Sequence, residues 1–518
     1  MNSDFEAVIG LECHVQLDTA SKLFTGAATA FGAAPNQHID PLTLGLPGSL
    51  PVPNRRAVEF ALRMGLACGC HIRPRSEFSR KHYFYPDLPK GYQISQYDAP
   101  ICEGGAVAYW LDGEVRHLRL TRIHLEEDAG KNVHVSAAGH AALSAAGSPV
   151  SLLDYNRAGV PLIEIVSEPE LRSAAEAAEY LRAVRRLVRY LRISDGNMEE
   201  GSLRCDANVS IRPRGQQRLG TKVEIKNINS FRFVEKAIEH EIARQIDLVS
   251  RGGSVRAETR GWDGERGTSR SQRSKEDAHD YRYFPDPDLP PLAIDPAWLA
   301  QVQAGQPELP LARLQRYLDV LGLPTQDALL LMGERELSDY FDAVLAACQI
   351  PITPVSATAP TSAPISKEGR SLAKLAANWL TSELLGALNR DGRDLSQSPV
   401  SPEKLGALIL LIADETLSGR GAKDVFARLY ADPAATPAGL VDALGLRQIT
   451  DPAAIEAACR KVLAAPEHQK QVEQYAKNPK LLGFFVGKAI AETGGRAKPD
   501  AVSALLSRLL AERAAPKS

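Results

Sequence analysis

Residues 9–17 read Ile9-Gly10-Leu11-Glu12-Cys13-His14-Val15-Gln16-Leu17. Apolar and polar side chains alternate without a break, the period of a strand with one wet face. Ile9, Leu11, Cys13, Val15 and Leu17 form the apolar side, and Glu12 and His14 point together to the other. The pattern recurs in 203–211, where Leu203, Cys205, Ala207, Val209 and Ile211 oppose Arg204, Asp206, Asn208 and Ser210. In 222–226, Lys222, Glu224 and Lys226 share one face against Val223 and Ile225. Three strands therefore carry carboxylates on polar faces of one type, as antiparallel sheets with a solvated face do.

Helices are legible around these strands. Ser173 followed by Glu176 is a capping-box pattern. Leu181, Val184, Leu187, Val188 and Leu191 then repeat at helical spacing, with Arg182, Arg185, Arg186, Arg189 and Arg192 between them. A second helix begins near Phe231 and carries Val234, Ile238, Ile242, Ile246 and Val249. The segment Pro285-Asp286-Pro287-Asp288-Leu289-Pro290-Pro291 can continue neither a helix nor a central strand and reads as a linker. Beyond it the chain is rich in Ala and Leu with helical periodicity. A Pro/Thr/Ser/Ala stretch at 351–366 reads as a surface loop or insertion. A further break falls at Ser398-Pro399-Val400-Ser401-Pro402, after which Leu405, Leu408, Ile409 and Ile412 keep helical spacing.

The length of 518 residues suggests three or four domains and needs no covalent staples. With 61 Lys and Arg against 63 Asp and Glu, the net charge is −2. That excludes a globally basic nucleic-acid coat and leaves a local basic patch open. Seven scattered cysteines are not a disulfide framework and point to a reducing compartment. The acidic start, without a basic segment and apolar run, and the lack of a membrane-length apolar stretch make the expected location cytoplasmic.

The first part concentrates chemistry. Glu12 and His14 lie on one strand face, and His124-Leu125-Glu126-Glu127-Asp128 packs an imidazole and three carboxylates into five residues. Carboxylates with one or two histidines and no paired cysteines suit a hard cation such as Mg²⁺ or Mn²⁺. Alternation from Ile123 and Leu125 puts Glu127 on the apolar register, so Glu126 is its rival as a ligand. Arg80-Lys81-His82-Tyr83-Phe84-Tyr85-Pro86-Asp87 could hold phosphates and stack a base on tyrosine. Residues 251–275, with seven Lys/Arg against three acids, suit a loop over an anionic ligand. The chain has no G-x-x-x-x-G-K-[ST] loop, no G-x-G-x-x-G after a strand and no G-x-S-x-G elbow. Cys68-Gly69-Cys70-His71 hints at zinc, but no second close cysteine pair accompanies it.

Longer runs resemble a known family. They are Val8-Ile9-Gly10-Leu11-Glu12-Cys13-His14-Val15, Tyr83-Phe84-Tyr85-Pro86-Asp87, Tyr92-Gln93-Ile94-Ser95-Gln96 and His124 to Lys131. Pro161 to Pro169, Met198 to Asn208, Glu224 to Ser230, Asp280 to Pro285 and Leu482 to Lys488 continue the match. Together they resemble the B subunit of aspartyl/glutamyl-tRNA(Asn/Gln) amidotransferases. The resemblance implies an α+β fold: an antiparallel-sheet cradle like that of glutamine synthetase over 1–292, then two all-helical domains over 293–400 and 401–518, the tail binding tRNA. It implies ATP and Mg²⁺ as cofactors, and phosphorylation of the side-chain carboxylate of Glu on tRNA(Gln) or Asp on tRNA(Asn). Amidation follows, with ammonia from a partner amidase, the A subunit, while a small third partner, the C subunit, completes a heterotrimer. Glu12, His14 and Glu127 match the family's metal positions, with Glu224 a fourth ligand and Glu126 the rival. Lys81 and Tyr85 are expected at phosphate or aminoacyl groups, and Arg204, Asp206 and Lys226 on the polar floor. Two other readings use the same residues: a stand-alone carboxylate-activating ligase, and a non-catalytic tRNA-binding module.

Overall fold

The computed structural model describes residues 4–135, 150–274, 281–351, 364–449, 451–475 and 478–514. The chain divides into two compact units, residues 1–312 and 313–518.

The first unit is built on a ten-stranded sheet. Its order runs Thr268–Ser274, Glu258–Asp263, Val223–Ile228, Leu203–Pro213, Phe5–Gln16, Pro161–Ser167, Glu114–Glu127, Cys102–Glu103, His71–Ile72, and Ala106–Leu111 pairs with Glu114–Glu127 off this path. The sheet is mixed rather than wholly antiparallel, because Val223–Ile228 and Glu258–Asp263 run parallel. The three strands expected from alternation all form. Phe5–Gln16 and Leu203–Pro213 pair along nearly their whole length, with Cys13 opposite Cys205.

The apolar faces of these strands turn inward as predicted. Leu11, Cys13, Val15, Leu203, Cys205, Ala207 and Ile225 are buried in one core with Leu125, Ile163 and Ile165. Each large aliphatic side chain withdrawn from water there contributes ~1.5–3 kcal/mol. Helices Arg55–Ala67, Ala174–Tyr190 and Phe231–Ser250 cover this face. Leu181, Val184, Leu187, Val188 and Leu191 are all buried. The Ser173 hydroxyl accepts from the Glu176 N–H at 3.1 Å, while the Glu176 carboxylate accepts from the Arg172 N–H at 2.8 Å. The box thus closes one residue earlier than its usual reciprocal bond.

Residues 285–291, expected as a linker, are bound into the first unit. Phe284–Pro285 pairs with Ser79–His82, and buried Asp286 accepts from Arg80 at 2.8 Å. Leu292–Ala293 pairs with Arg75–Ser76, and helix Pro296–Ala304 packs on Arg55–Ala67. Proline bars a helix or a central strand here, yet two-residue edge pairing needs few amide donors, so the segment is held by a short edge strand at either end.

The second unit is helical. Leu405, Leu408 and Ile409 of helix Pro402–Ala413 are buried. That helix packs on Arg335–Ala347 and Lys367–Asn378, so packing runs across the predicted break at 398–402. Tyr340 donates to the Val400 carbonyl at 2.7 Å. A separate apolar cluster gathers Ile455, Cys459, Phe485, Val502, Leu506 and Leu510. Most of the stretch read as an insertion, residues 352–363, lies outside the described residues. Among the described residues no helix is long and apolar enough to cross a membrane.

Candidate active site

Residues directly opposite on neighbouring strands share a face of the sheet. His14 lies opposite both Glu164 and Arg204, and Glu12 opposite Asp206. His124 lies opposite Glu164, and Asn208 opposite Glu224. Pairing therefore gathers Glu12, His14, His124, Glu126, Glu164, Arg204, Asp206 and Glu224 onto one polar floor, turned away from the core.

At one place the floor forms a compact acid–imidazole group. His14 Nε2 lies 3.5 Å from Glu164 Oε2 and 3.7 Å from Glu126 Oε1. His124 Nε2 lies 3.4 Å from Glu164 and 3.8 Å from Glu126. Ser95 donates to Glu126 at 3.3 Å. Burial disfavours a charged His14, but the Glu164 hydrogen bond and the charges of Glu164 and Glu126 outweigh it and lift its pKa to about 9. Burial likewise opposes ionised Glu126, and the His124 hydrogen bond with both imidazoles still holds its pKa below the usual carboxylate range. Glu164 is held low in the same way. The group is thus two carboxylates that need positive charge beside them. Among the described residues, His14, Glu126 and Glu164 are the one set of three such ligands whose atoms lie within 4.8 Å of each other. Two carboxylates and an imidazole fit a hard divalent cation.

A second group lies beside it. Lys226 donates to Asp206 at 2.6 Å and lies 3.1 Å from Glu224, which also accepts from Thr259 at 2.7 Å. A bulge lets Lys226 reach both carboxylates: the register with Leu203–Pro213 shifts there, and Asn227 sits at φ +65°. Burial opposes the charge on Lys226, and Asp206 and Glu224 more than restore it. Glu12 accepts from Asn208 at 2.9 Å. Its pKa is raised, by burial first and then by Glu164, Glu224 and Asp206. Arg204 donates to buried Asp128 at 2.9 Å, and Gln16 donates to the same oxygen.

Glu127 departs from this arrangement. The structure places it on the opposite register, as alternation warned, in a buried ion pair with Lys90. Its carboxylate also accepts from the Ile94 N–H at 2.9 Å. Glu126, the rival, is the neighbour that joins His14. Lys81 reaches the floor from strand Ser79–His82, its Nζ 5.0 Å from the Tyr281 ring centroid. Tyr85 is half-exposed, 5.8 Å from the Tyr83 ring. Glu164 was missing from the expected set, and His124 and Asp128, named only as members of the acid–imidazole run, had been given no role. The run Leu162-Ile163-Glu164-Ile165-Val166 held the signal for the first, a lone carboxylate alternating between isoleucines. Cys68 and Cys70 are buried thiols and belong to no ligand group among the described residues.

A carboxylate–imidazole group beside lysine and arginine on one sheet floor is the equipment of a class of site that can hold a cation and anionic groups together. The comparisons give the family. Residues 7–300 match the family model of the GatB/GatE catalytic domain, and 364–510 that of the GatB domain. The chain is 50% identical over 511 residues to the B subunit of the aspartyl/glutamyl-tRNA(Asn/Gln) amidotransferase of Alkalilimnicola ehrlichii, covering 98% of this chain and 99% of that one. It is 52% identical over 511 residues to the protein of the same name from Anaeromyxobacter sp. (strain K), with the same coverage. It is 50% identical over 509 residues to that of Thioalkalivibrio sulfidiphilus, covering 98% and 100%. The chain belongs to the GatB family.

Proposed function

We propose that the chain is the carboxylate-activating subunit of a glutamine-dependent aspartyl/glutamyl-tRNA(Asn/Gln) amidotransferase. The observation that carries this reading is the His14–Glu126–Glu164 group beside Arg204 and Lys226, in a chain half identical to such subunits over nearly its whole length. A carboxylate is a poor electrophile because its oxygen is a poor leaving group. ATP phosphorylates it, and ammonia then displaces phosphate from the acyl phosphate to leave the amide. Mg²⁺ held by His14, Glu126 and Glu164 would neutralise phosphate charge during transfer.

The chain's own residues supply positioning. Lys81, its Nζ over the Tyr281 and Tyr83 rings and in the field of Glu126 and Glu164, can hold a phosphate oxygen. Arg204, braced by Asp128, and Lys226, braced by Asp206 and Glu224, are fixed before substrate arrives, so they reorganise little during transfer. Glu12 and Glu224 are acids placed for a second cation or for the incoming ammonia, and Tyr85 for the aminoacyl end.

In the same reading the first unit serves as a cradle of the glutamine synthetase kind. The helical parts, residues 293–400 and 401–518, grip tRNA(Gln) or tRNA(Asn). A partner amidase (the A subunit) and a small third chain (the C subunit) complete a cytoplasmic heterotrimer. The test supplies purified chain with ATP, charged tRNA and either labelled glutamine or an ammonium salt. Amidation with ammonium and none with glutamine supports the assignment. Glutamine hydrolysis by the pure chain, or ATP turnover indifferent to charged tRNA in the assembled complex, contradicts it.

A further inference from the structure

A series of aromatic rings leads outward from the acid–imidazole group. Tyr97 and Tyr283 stack with centroids 4.1 Å apart and planes 8° from parallel. Tyr281 meets Tyr283 edge-on at 6.0 Å and Tyr83 at 6.2 Å. Lys81 joins the inner end, its Nζ 5.0 Å from the Tyr281 centroid and 6.0 Å from that of Tyr83. Although burial opposes its charge, Glu126, Tyr283 and Glu164 hold the Lys81 pKa above the ordinary lysine value, so the ammonium lies in the field of both the acids and the rings. Ser95, which donates to Glu126, stands two residues before Tyr97. The series therefore begins at the acids and ends at Tyr97, which is 45% exposed.

The backbone supports a functional reason for this arrangement. Arg282, between the two tyrosines, sits at φ +44°, in the left-handed region. A non-glycine residue there is strained and persists only where its surroundings over-determine it. Tyr283 backs Tyr97 in near-parallel contact, which fixes the orientation of the exposed ring. A rigid, flat, outward ring with a fixed cation and an acid group on its inner side suits a ligand with a planar base at one end and phosphate at the other.

We propose that Tyr97, backed by Tyr283, is the stacking platform for an adenine base at this site. The proposal rests on the ATP- and tRNA-using function above. Adenine can arrive from two sources: the base of ATP, or the 3′-terminal adenosine that carries the aminoacyl group. Lys81, next to the acids, then receives the phosphate nearest the stacked base.

Two measurements test it in parallel. In the complete amidotransferase, Tyr97→Ala raises KM for one adenine-bearing substrate about tenfold, the size of effect that loss of one stacked base produces. Tyr97→Phe, which keeps the ring, stays at the wild-type value. A rise for ATP alone identifies the nucleotide as the source of the base; a rise for aminoacyl-tRNA alone identifies the terminal adenosine. In the purified full-length chain, saturation-transfer NMR is run with ATP in one tube and the trinucleotide cytidylyl-cytidylyl-adenosine in another. Saturation of the adenine protons of one probe is expected in wild type and its loss in Tyr97→Ala. If the wild-type complex fails to amidate, the assigned function falls, while the adenine signals still decide this proposal. Unchanged KM for both substrates, no adenine saturation from either probe, or a Phe variant as impaired as the Ala variant overturns it.

Discussion

His14 and Glu164 stand directly opposite each other on antiparallel neighbours 150 residues apart in the chain, with Nε2 and Oε2 3.5 Å apart. Neither strand holds a complete ligand set; the pairing creates one, with Glu126 supplied by the next strand. His14→Ala and Glu164→Gln should therefore weaken divalent-cation binding by at least the roughly 10–100-fold that loss of a mere outer-shell partner costs. Electron paramagnetic resonance titration with Mn²⁺ measures this without turnover. Wild-type affinity in both variants would remove the pair from the cation site.

Glu127→Gln should behave differently, although its target is adjacent in sequence to Glu126. Glu127 and Lys90 form a buried pair, and removing one partner leaves the other charge uncompensated. The expected loss is about 3 kcal/mol in denaturant unfolding of the first unit. Mn²⁺ affinity should stay close to wild type. A stable Glu127→Gln protein with weakened Mn²⁺ binding would instead return Glu127 to the cation site.

Within the helical unit, Arg316 is 2% exposed and is held by Asp342, with Nη2–Oδ2 at 2.7 Å and Nη1–Oδ1 at 3.2 Å. Asp342→Asn removes the compensating charge and should destabilise this unit by about 3–5 kcal/mol. Replacing Arg316 and Asp342 together by leucine and methionine should recover much of that loss. Chemical denaturation followed by far-ultraviolet circular dichroism reads both, and equal instability of single and double variants would refute the pair argument.

The Cys70 thiol predicts an alkaline limit. Burial pushes its pKa up to about 12 from 9.0. The folded state therefore holds this proton when the unfolded chain has released it, and the stability it contributes is complete below about pH 9 and is lost as pH rises towards 12. Comparison of Cys70→Ala with wild type between pH 8 and 11 isolates the effect: the wild-type protein should lose stability more steeply. The same thiol should resist alkylation at pH 8 until the protein unfolds. Prompt native-state alkylation of Cys70 would contradict its burial.

Truncation separates the helical parts. A chain ending at residue 401 strips helix Pro402–Ala413 from Arg335–Ala347 and should expose apolar surface and aggregate. One ending at 449 keeps that contact and removes the cluster around Phe485 and Leu506, along with the Lys498–Glu415 ion pair and the Ile449–Arg496 backbone bond. It should stay folded yet bind charged tRNA more weakly, with a shallower salt dependence as phosphate contacts are lost. Retention of the full salt slope would locate those contacts elsewhere.

Much of the first unit was legible from alternation. The strands holding Glu12, His14, Arg204 and Asp206 were readable because a half-buried strand writes its burial into every second residue. Helix Ala174–Tyr190 was readable from its cap and its apolar stripe. Residues 285–291 were misread as a linker because proline signals only what the backbone cannot do, not whether Arg80 waits to hold Asp286. Glu164 went unread because one carboxylate in an apolar run has no local partner to mark it.

By itself the sequence determined which side of each strand is wet, and hence that Glu126 and Glu127 must face opposite ways. Side-chain direction in a strand follows from backbone geometry within a few residues. Only the tertiary structure decided that His14, Glu126 and Glu164 meet, that Lys226 bridges Asp206 and Glu224, and that Tyr97 lies flat on Tyr283. Those contacts depend on strand register and on edge pairing between distant segments. Apolar alternation forbids one-residue slips, because each would turn the buried face to water, but it does not say which distant strands pair or at which of the remaining registers.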